Sequence, residues 1–171
     1  MKRLAIVALA ISAIACGSDP PTQPSTQPGS PTFVATLLPA NETTPVTVPE
    51  QAGNGNVTIT FTVTRDANQA ITDCKATFVV NLAGFPAGQP VTAAHIHPGA
   101  AGVPGPAQIS LALASGEVVF ASGSGQFTKN NINVPPTDAT NILNNPAGFY
   151  FNVHSTGSPQ GFARGQLVRT Q

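Results

Sequence analysis

The chain has 171 residues, of which 8% are charged, and its 7 basic and 7 acidic residues give a formal net charge of +0. It has no basic segment, so the sequence argues against nucleic acid as a partner. From residue 33 to the end, the chain is long enough for one domain with a hydrophobic core.

Residues 1–15 are predicted to be a signal peptide for export. They begin with a basic pair, and the apolar stretch that follows is too short to span a bilayer as a helix. Ala13 and Ala15, followed by Cys16, resemble the lipobox of bacterial lipoproteins, which implies that Cys16 is lipidated. We therefore expect an exported protein that is lipid-anchored to the cell membrane or the outer membrane. The alternative is an ordinary signal peptide cut near Ala15, which leaves Cys16 as a spare thiol.

Residues 16–31 are predicted to be a linker between the lipidated cysteine and the folded domain. After Cys16 they consist almost wholly of Pro, Ser, Thr, Gln and Gly. Such a segment has little to bury and cannot repay the entropy of ordering, so we expect it to act as an extended spacer. Residues 32–171 then form the domain.

The domain is predicted to be all-β, a Greek-key β-sandwich of about 7–8 strands with one short helix. In "NVTITFTVT", apolar residues alternate with threonines, which is typical of a strand with one face on the core. The helix is predicted at residues 137–145, opened by a Thr or Asp cap and stopped by Pro146. The predicted strands are residues 33–38, 56–64, 75–82, 91–97, 107–113, 117–127, 148–155 and 162–169.

Cys74 lies in the strand-like segment "ITDCKATFVVNL". With Cys16 lipidated, Cys74 has no partner, so no disulfide is expected within the chain. The setting favours a small buried hydrophobic residue over a reactive thiol.

The 3 histidines of the chain lie in two segments. In "HIH", His95 and His97 project from one face of a strand, about 6.5–7 Å apart. His154 ends "FYFNVHS" and shares a face with polar neighbours. If these two strands pair, all three imidazoles converge into a site suited to copper or zinc. The alternative is structural, with the histidines bonding loop backbone and His97 bracing the turn before Pro98.

No catalytic residues are predicted, so the sequence favours binding over enzymatic activity. No G-x-S-x-G elbow occurs, and the scattered acidic residues offer no obvious carboxylate pair. Gly123 and Gly125 lack the helix that a phosphate loop needs, and a β-bulge is the expected structure there.

Asn152 and Arg164 are predicted to make structural or ligand contacts. Arg164 is the charged residue of "GFARGQL", a segment otherwise suited to packing. It is expected to reach a carboxylate such as Glu117 or to cap loop carbonyls, and contact with an anionic ligand is the alternative.

The segments "AAHIHPGAAGVPGP" and "GFYFNVHSTGSPQGFARGQL" together resemble the CHRD domain, a module named after chordin and also found in exported bacterial proteins. The resemblance covers about residues 32 to 170. It implies an immunoglobulin-like or superoxide-dismutase-like sandwich. In chordin these domains accompany growth-factor-binding modules. We therefore expect a binding or structural module of the cell envelope, whose partner is an unidentified extracytoplasmic protein or ligand.

The H-x-H strand is also similar to the copper-binding strand of Cu/Zn superoxide dismutase, with His95, His97 and His154 as the matching ligands. The chain has no fourth histidine and no His-rich zinc loop, which argues against dismutase activity. A copper- or zinc-binding protein with a redox or metal-buffering role is therefore the alternative to the envelope module.

Overall fold

A computed structural model describes residues 30–171. The predicted signal peptide, the lipidation site Cys16 and nearly all of the predicted linker lie outside the described residues. Within the described part of the chain, no helix is long and apolar enough to cross a membrane.

The described residues form ten strands and one α-helix. The helix α1 spans Pro136–Asn144. The strands are β1 (Thr32–Leu37), β2 (Asn54–Arg65), β3 (Ile71–Ala83), β4 (Pro90–Pro98), β5 (Ile109–Ser110), β6 (Val118–Val119), β7 (Gly125–Asn133), β8 (Phe149–Ser155), β9 (Ala163–Gln166) and β10 (Val168–Arg169).

Two antiparallel sheets make up the fold and confirm the predicted all-β sandwich. The first sheet has the order β10-β1-β2-β3-β7. The second has the order β5-β4-β8-β9, with β6 paired to β4. The chain changes sheet after β3, β6, β7 and β9, so neighbouring strands of one sheet are often distant in sequence.

The core lies between the sheets and is built by strand alternation. Val57, Ile59 and Phe61 are fully buried, as their alternation with threonines predicts. Phe78 of the first sheet stacks on Phe151 of the second, with ring centroids 5.9 Å apart. The other face of β8 therefore points away from the core, and we call this side of the second sheet its outer face.

The predicted strand 117–127 is wrong as a single element. Val118 and Val119 pair with β4, whereas Gly125 begins β7 beside β3 in the other sheet. Gly123 stands in the turn between them with φ of +73°, and its N–H donates to the carbonyl of Phe120 at 3.0 Å. The expected bulge is therefore a sheet-to-sheet turn, which needs glycine because φ is positive.

Other predicted strand boundaries also differ from the structure. The strand predicted at 107–113 is limited to β5, because Ala112 adopts a positive φ of 49°. The strand predicted at 162–169 is divided at Leu167, where the chain crosses to the first sheet. β7 continues to Asn133, beyond the predicted end at 127. The prediction ended too early because the polar residues of β7 face solvent and show no apolar alternation.

The helix is present close to where the sequence predicts it. It begins at Pro136, after an N-cap residue, Pro135, that supplies no side-chain hydrogen bond. The predicted Thr or Asp cap is therefore wrong, and the rigid φ of proline at the first helical position favours this start instead.

Candidate metal centre

The pairing of β4 with β8 positions the three histidines. His95 lies opposite Asn152, and His154 lies opposite Ala93. His97 lies opposite Tyr150. Since alternate residues of a strand share a face, these side chains stand together on the outer face, behind the core residues of the same strands.

The three imidazoles form a compact group. Each offers one ring nitrogen, and these nitrogens all lie within 4.8 Å of one another. Nδ1 of His95 is 3.2 Å from Nε2 of His154. His97 and His154 are buried, whereas His95 is partly exposed. The structure therefore brings together the set that the sequence singled out, with His95 on the solvent side.

Backbone carbonyls define the protonated nitrogen of two rings. Nδ1 of His97 lies 3.0 Å from the carbonyl oxygen of Gly105, and Nδ1 of His154 lies 3.1 Å from that of Pro159. A carbonyl oxygen only accepts, so each Nδ1 carries the proton and each Nε2 keeps its lone pair. The predicted structural role of His97 toward the loop and a metal-binding role thus use different nitrogens of one ring.

The surroundings keep all three imidazoles neutral. Burial, followed by the neighbouring His154 and His97, lowers the pKa of His95 to about 4. The pKa values of His97 and His154 are also below the ordinary value, chiefly because burial disfavours the imidazolium. Neutral imidazole is the form that coordinates metals.

Arg164 stabilises the loop that covers this site. It is only 2% exposed, and its guanidinium carbon lies 3.5 Å from the centroid of the Tyr150 ring. The other side chain stacked on Tyr150 is His97, with ring centroids 4.8 Å apart and planes inclined by 5°. Nη2 of Arg164 donates to the carbonyls of Ala100 and Val103, at 3.3 and 3.1 Å.

Arg164 therefore caps loop carbonyls, which is one of the contacts that the sequence predicts for it. These carbonyls belong to the 99–108 loop, which joins β4 to β5. Glu117 is not the partner of Arg164, because it pairs with Lys129 at 2.8 Å.

Asn152 lies at the centre of the outer face, opposite both His95 and Arg164. It is 3% exposed, and its Oδ1 is buried without a hydrogen-bond partner. Oε1 of Glu42 is also buried without a partner. Both oxygens crowd Gly161, where an added Cβ would stand 2.7 Å from the Asn152 oxygen and 2.8 Å from that of Glu42.

Sequence reasoning missed Glu42. Leu38 pairs through its backbone with Arg164, and Nδ2 of Asn41 donates to the Arg164 carbonyl at 2.9 Å. These contacts hold the turn before Glu42 against β9. No local pattern marks this residue, because only the long-range pairing of the β1–β2 connection with β9 brings it to the outer face.

A family comparison agrees with this architecture. The family model named CHRD domain matches residues 33–167. The chain belongs to the CHRD domain family. No curated protein and no solved structure matches the chain significantly. The CHRD match supports a binding or structural module, and both histidine-bearing strands lie within it.

Glu50 is a buried acid of this CHRD domain that sequence reasoning also missed. It is 4% exposed, and its carboxylate accepts hydrogen bonds from Gln89, Ser155 and Ser158. Three neutral donors therefore satisfy Glu50, which fastens the β1–β2 connection to the end of β8. This role is structural.

The donor set of the candidate centre consists of nitrogen alone. Cys74 is buried and free, and burial raises the pKa of its thiol to about 12, as expected for a residue that only packs. Three neutral imidazoles with an open position suit copper and zinc. Hydrogen bonds from the second ring nitrogen to backbone oxygen are typical of metal-binding histidines.

Proposed function

We propose that this protein is an exported, lipid-anchored CHRD domain that binds a copper or zinc ion at the cell envelope through His95, His97 and His154. The observation that carries the proposal is the convergence of three ligand nitrogens within 4.8 Å of one another. This arrangement is not required by the fold's core, since the imidazoles stand on the outer face.

The chemistry of the three rings supports the proposal. Nε2 of His97 is buried without a hydrogen-bond partner. A buried polar atom without a partner is costly, and a metal ion would satisfy it. The Gly105 and Pro159 carbonyls orient His97 and His154, so little reorganisation is needed for these two ligands.

His95 is the ligand that must adjust. Nε2 of His154 keeps its lone pair toward His95, so Nδ1 of His95 donates to it. Metal binding breaks this hydrogen bond and moves the His95 proton to its other nitrogen. His95 is also the most accessible of the three rings, so it is the side chain that an incoming ion meets first.

The location in the envelope is supported by the N-terminal sequence. The predicted export signal, the lipobox-like Cys16 and the Pro-rich linker support a location outside the cytoplasm on a membrane tether. Metal buffering at the envelope is a role that needs no further catalytic group.

A second candidate role is recognition of an extracytoplasmic protein through the 99–108 loop. Val103 at the loop tip is 50% exposed, although buried Arg164 and His97 hold the loop backbone from below. A loop of defined shape loses little entropy on binding, which favours recognition. The two roles are compatible, because the metal site and the exposed tip occupy opposite sides of the loop backbone.

Calorimetric titration of copper(II) and zinc into the mature, untagged protein tests the metal proposal. We expect binding tighter than about 10 μM at about pH 7.5. His154→Ala should lose much of the affinity, because three ligands become two. Asn81→Ala, on the first sheet, is the control and should bind like the wild type. Weaker binding of both metals, or equal binding by His154→Ala, would leave the loop-recognition role as the function.

A further inference from the structure

Three buried side-chain polar atoms lack a hydrogen-bond partner among residues 30–171. They are Oε1 of Glu42, Nε2 of His97 and Oδ1 of Asn152. All three side chains lie at the outer face of the second sheet, around β8. Unsatisfied buried polar atoms are rare in folded proteins, so three in one region indicate a site built to receive something.

Asn152 connects the Glu42 carboxyl to the histidines. It faces His95 across the strand pair and stands two residues before His154 on the same face. On its other side, Gly161 lies against the side-chain oxygens of both Asn152 and Glu42. Asn152 therefore neighbours both the Glu42 carboxyl and the strand position of His95.

Glu42 has no ion pair within the described residues, although a cation lies near it. The ion pairs in this part of the chain are Lys75–Asp73 and Lys129–Glu117. The charge of Arg164 lowers the pKa of Glu42, but the guanidinium of Arg164 donates to a loop carbonyl and stacks on the Tyr150 ring. The carboxyl is thus available to respond to a new positive charge.

We propose that Glu42 is the counter-charge of the three-histidine centre. When a divalent ion binds the three neutral imidazoles, the Glu42 carboxyl loses its proton to solvent and becomes a carboxylate. Asn152 holds that carboxylate in position beside the centre. This inference rests on the proposed metal-binding function and names how the site balances its charge.

The protonation behaviour of Glu42 supports this coupling. Burial raises the pKa of Glu42 to about 7, while the charge of Arg164 and the neighbouring Asn152 amide oppose the rise. The groups on the side of β4 and β8 are the three histidines, whose pKa values are lowered. Glu42 therefore faces one fixed positive charge and a neutral cluster that becomes positive only with the metal.

The released proton has a route to water. Glu42 and Arg164 line a cleft of about 590 Å³ whose rim includes Gly102 of the loop. A divalent charge on the far side of Asn152 shifts the pKa of a partly buried carboxyl by about one unit. By linkage, ionisation of Glu42 must strengthen metal binding by the same factor.

Zinc titration calorimetry of the mature, untagged protein, in buffers of different ionisation enthalpy, counts the protons released. At about pH 7 the wild type should release close to half a proton more per zinc than Glu42→Gln. The difference should vanish at about pH 8.5, where the carboxyl is already ionised. Glu42→Gln should also bind zinc about tenfold more weakly at about pH 8 and equally at about pH 5.5. Asp73→Asn, which removes an exposed carboxylate of the first sheet, is the charge-matched control and should match the wild type.

The possible failures separate the two proposals. If the wild type binds no zinc, the metal function is wrong. If it binds zinc but Glu42→Gln releases the same number of protons, Glu42 is not the counter-charge. Infrared difference spectra provide a readout on wild-type protein alone. The C=O band of a protonated carboxyl should decrease on zinc addition at about pH 6, and an unchanged band would overturn the inference even if Glu42→Gln failed to fold.

Discussion

His95 and His154 are in direct contact, with Nδ1 of one 3.2 Å from Nε2 of the other. They lie 59 residues apart and meet because β4 pairs with β8. Only one proton occupies the gap between these nitrogens, so the pair resists further protonation. This contact links the stability of the domain to pH and the geometry of the site to the register of two strands.

Acid should destabilise the metal-free domain at pH values above the range in which ordinary carboxylates take up protons. The folded-state pKa of His95 is lowered to about 4, so the unfolded chain takes up protons first as the pH falls below about 6.5. The stabilisation is complete above that pH and is lost as the pH falls toward 4. After allowance for solvent screening at the partly exposed His95, we expect a loss of roughly 1–2 kcal/mol.

Urea unfolding of the metal-free domain at several pH values measures this effect. His95→Gln should flatten the slope between about pH 6.5 and pH 4.5. An identical slope in the two proteins would show that His95 keeps an ordinary pKa. Histidines with ordinary pKa values would lose their metal as the pH falls below about 6. The lowered pKa values move the expected loss to more acidic solution.

Glu42→Gln should stabilise the metal-free domain in alkaline but not in acidic solution. The folded-state pKa of Glu42 is raised to about 7, so its contribution is present below about pH 4.5 and is lost as the pH rises through 7. The neutral amide avoids the cost of ionising this partly buried carboxyl. We expect a gain of roughly 1–2 kcal/mol at about pH 8, discounted for partial exposure, and no gain at about pH 5. Equal stability of the two proteins at both pH values would contradict the raised pKa.

Arg164→Ala should destabilise the domain by roughly 1–3 kcal/mol. The carbonyls of Ala100 and Val103 lose their donor, and Tyr150 loses the cation stacked on its ring. Arg169→Ala is the matched control, since this arginine lies in the exposed strand β10 and donates a hydrogen bond to the backbone carbonyl of Gln171. Denaturant midpoints compare the two variants. Because Arg164 supports the 99–108 loop, limited proteolysis should cut that loop faster in Arg164→Ala than in the wild type. A denaturant midpoint and a cleavage rate equal to those of the wild type would favour a ligand contact as the role of Arg164.

Cys16→Ser should release the protein from membranes. The prediction rests on the lipobox resemblance, because the linker that follows has no apolar segment that could serve as a second anchor. Metabolic labelling with a fatty-acid analogue, followed by membrane fractionation, provides the measurement. Cys74→Ser serves as the control for cysteine chemistry elsewhere in the chain. Equal labelling of Cys16→Ser and the wild type would disprove the lipoprotein assignment.

The local patterns of the sequence predicted the elements whose residues face a core on one side. Alternation in "NVTITFTVT" identified β2, and the H-x-H spacing put His95 and His97 on one face, because side-chain period in a strand is a local property. Sequence reasoning was weaker where that period was absent. It merged β6 with β7 and shortened β7, whose polar residues carry no apolar alternation.

The tertiary structure alone decided which of these faces meet. The β4–β8 register brings His154 against His95, and the pairing of Leu38 with Arg164 carries Glu42 to the same face. Both depend on contacts between segments far apart in the chain. The pKa shifts also depend on the tertiary structure. Burial in the folded domain, rather than residue type, lowers the pKa of the histidines and raises that of Glu42. A sequence can therefore name the imidazoles, but the electrostatic setting that keeps them neutral exists only once distant loops exclude water from around them.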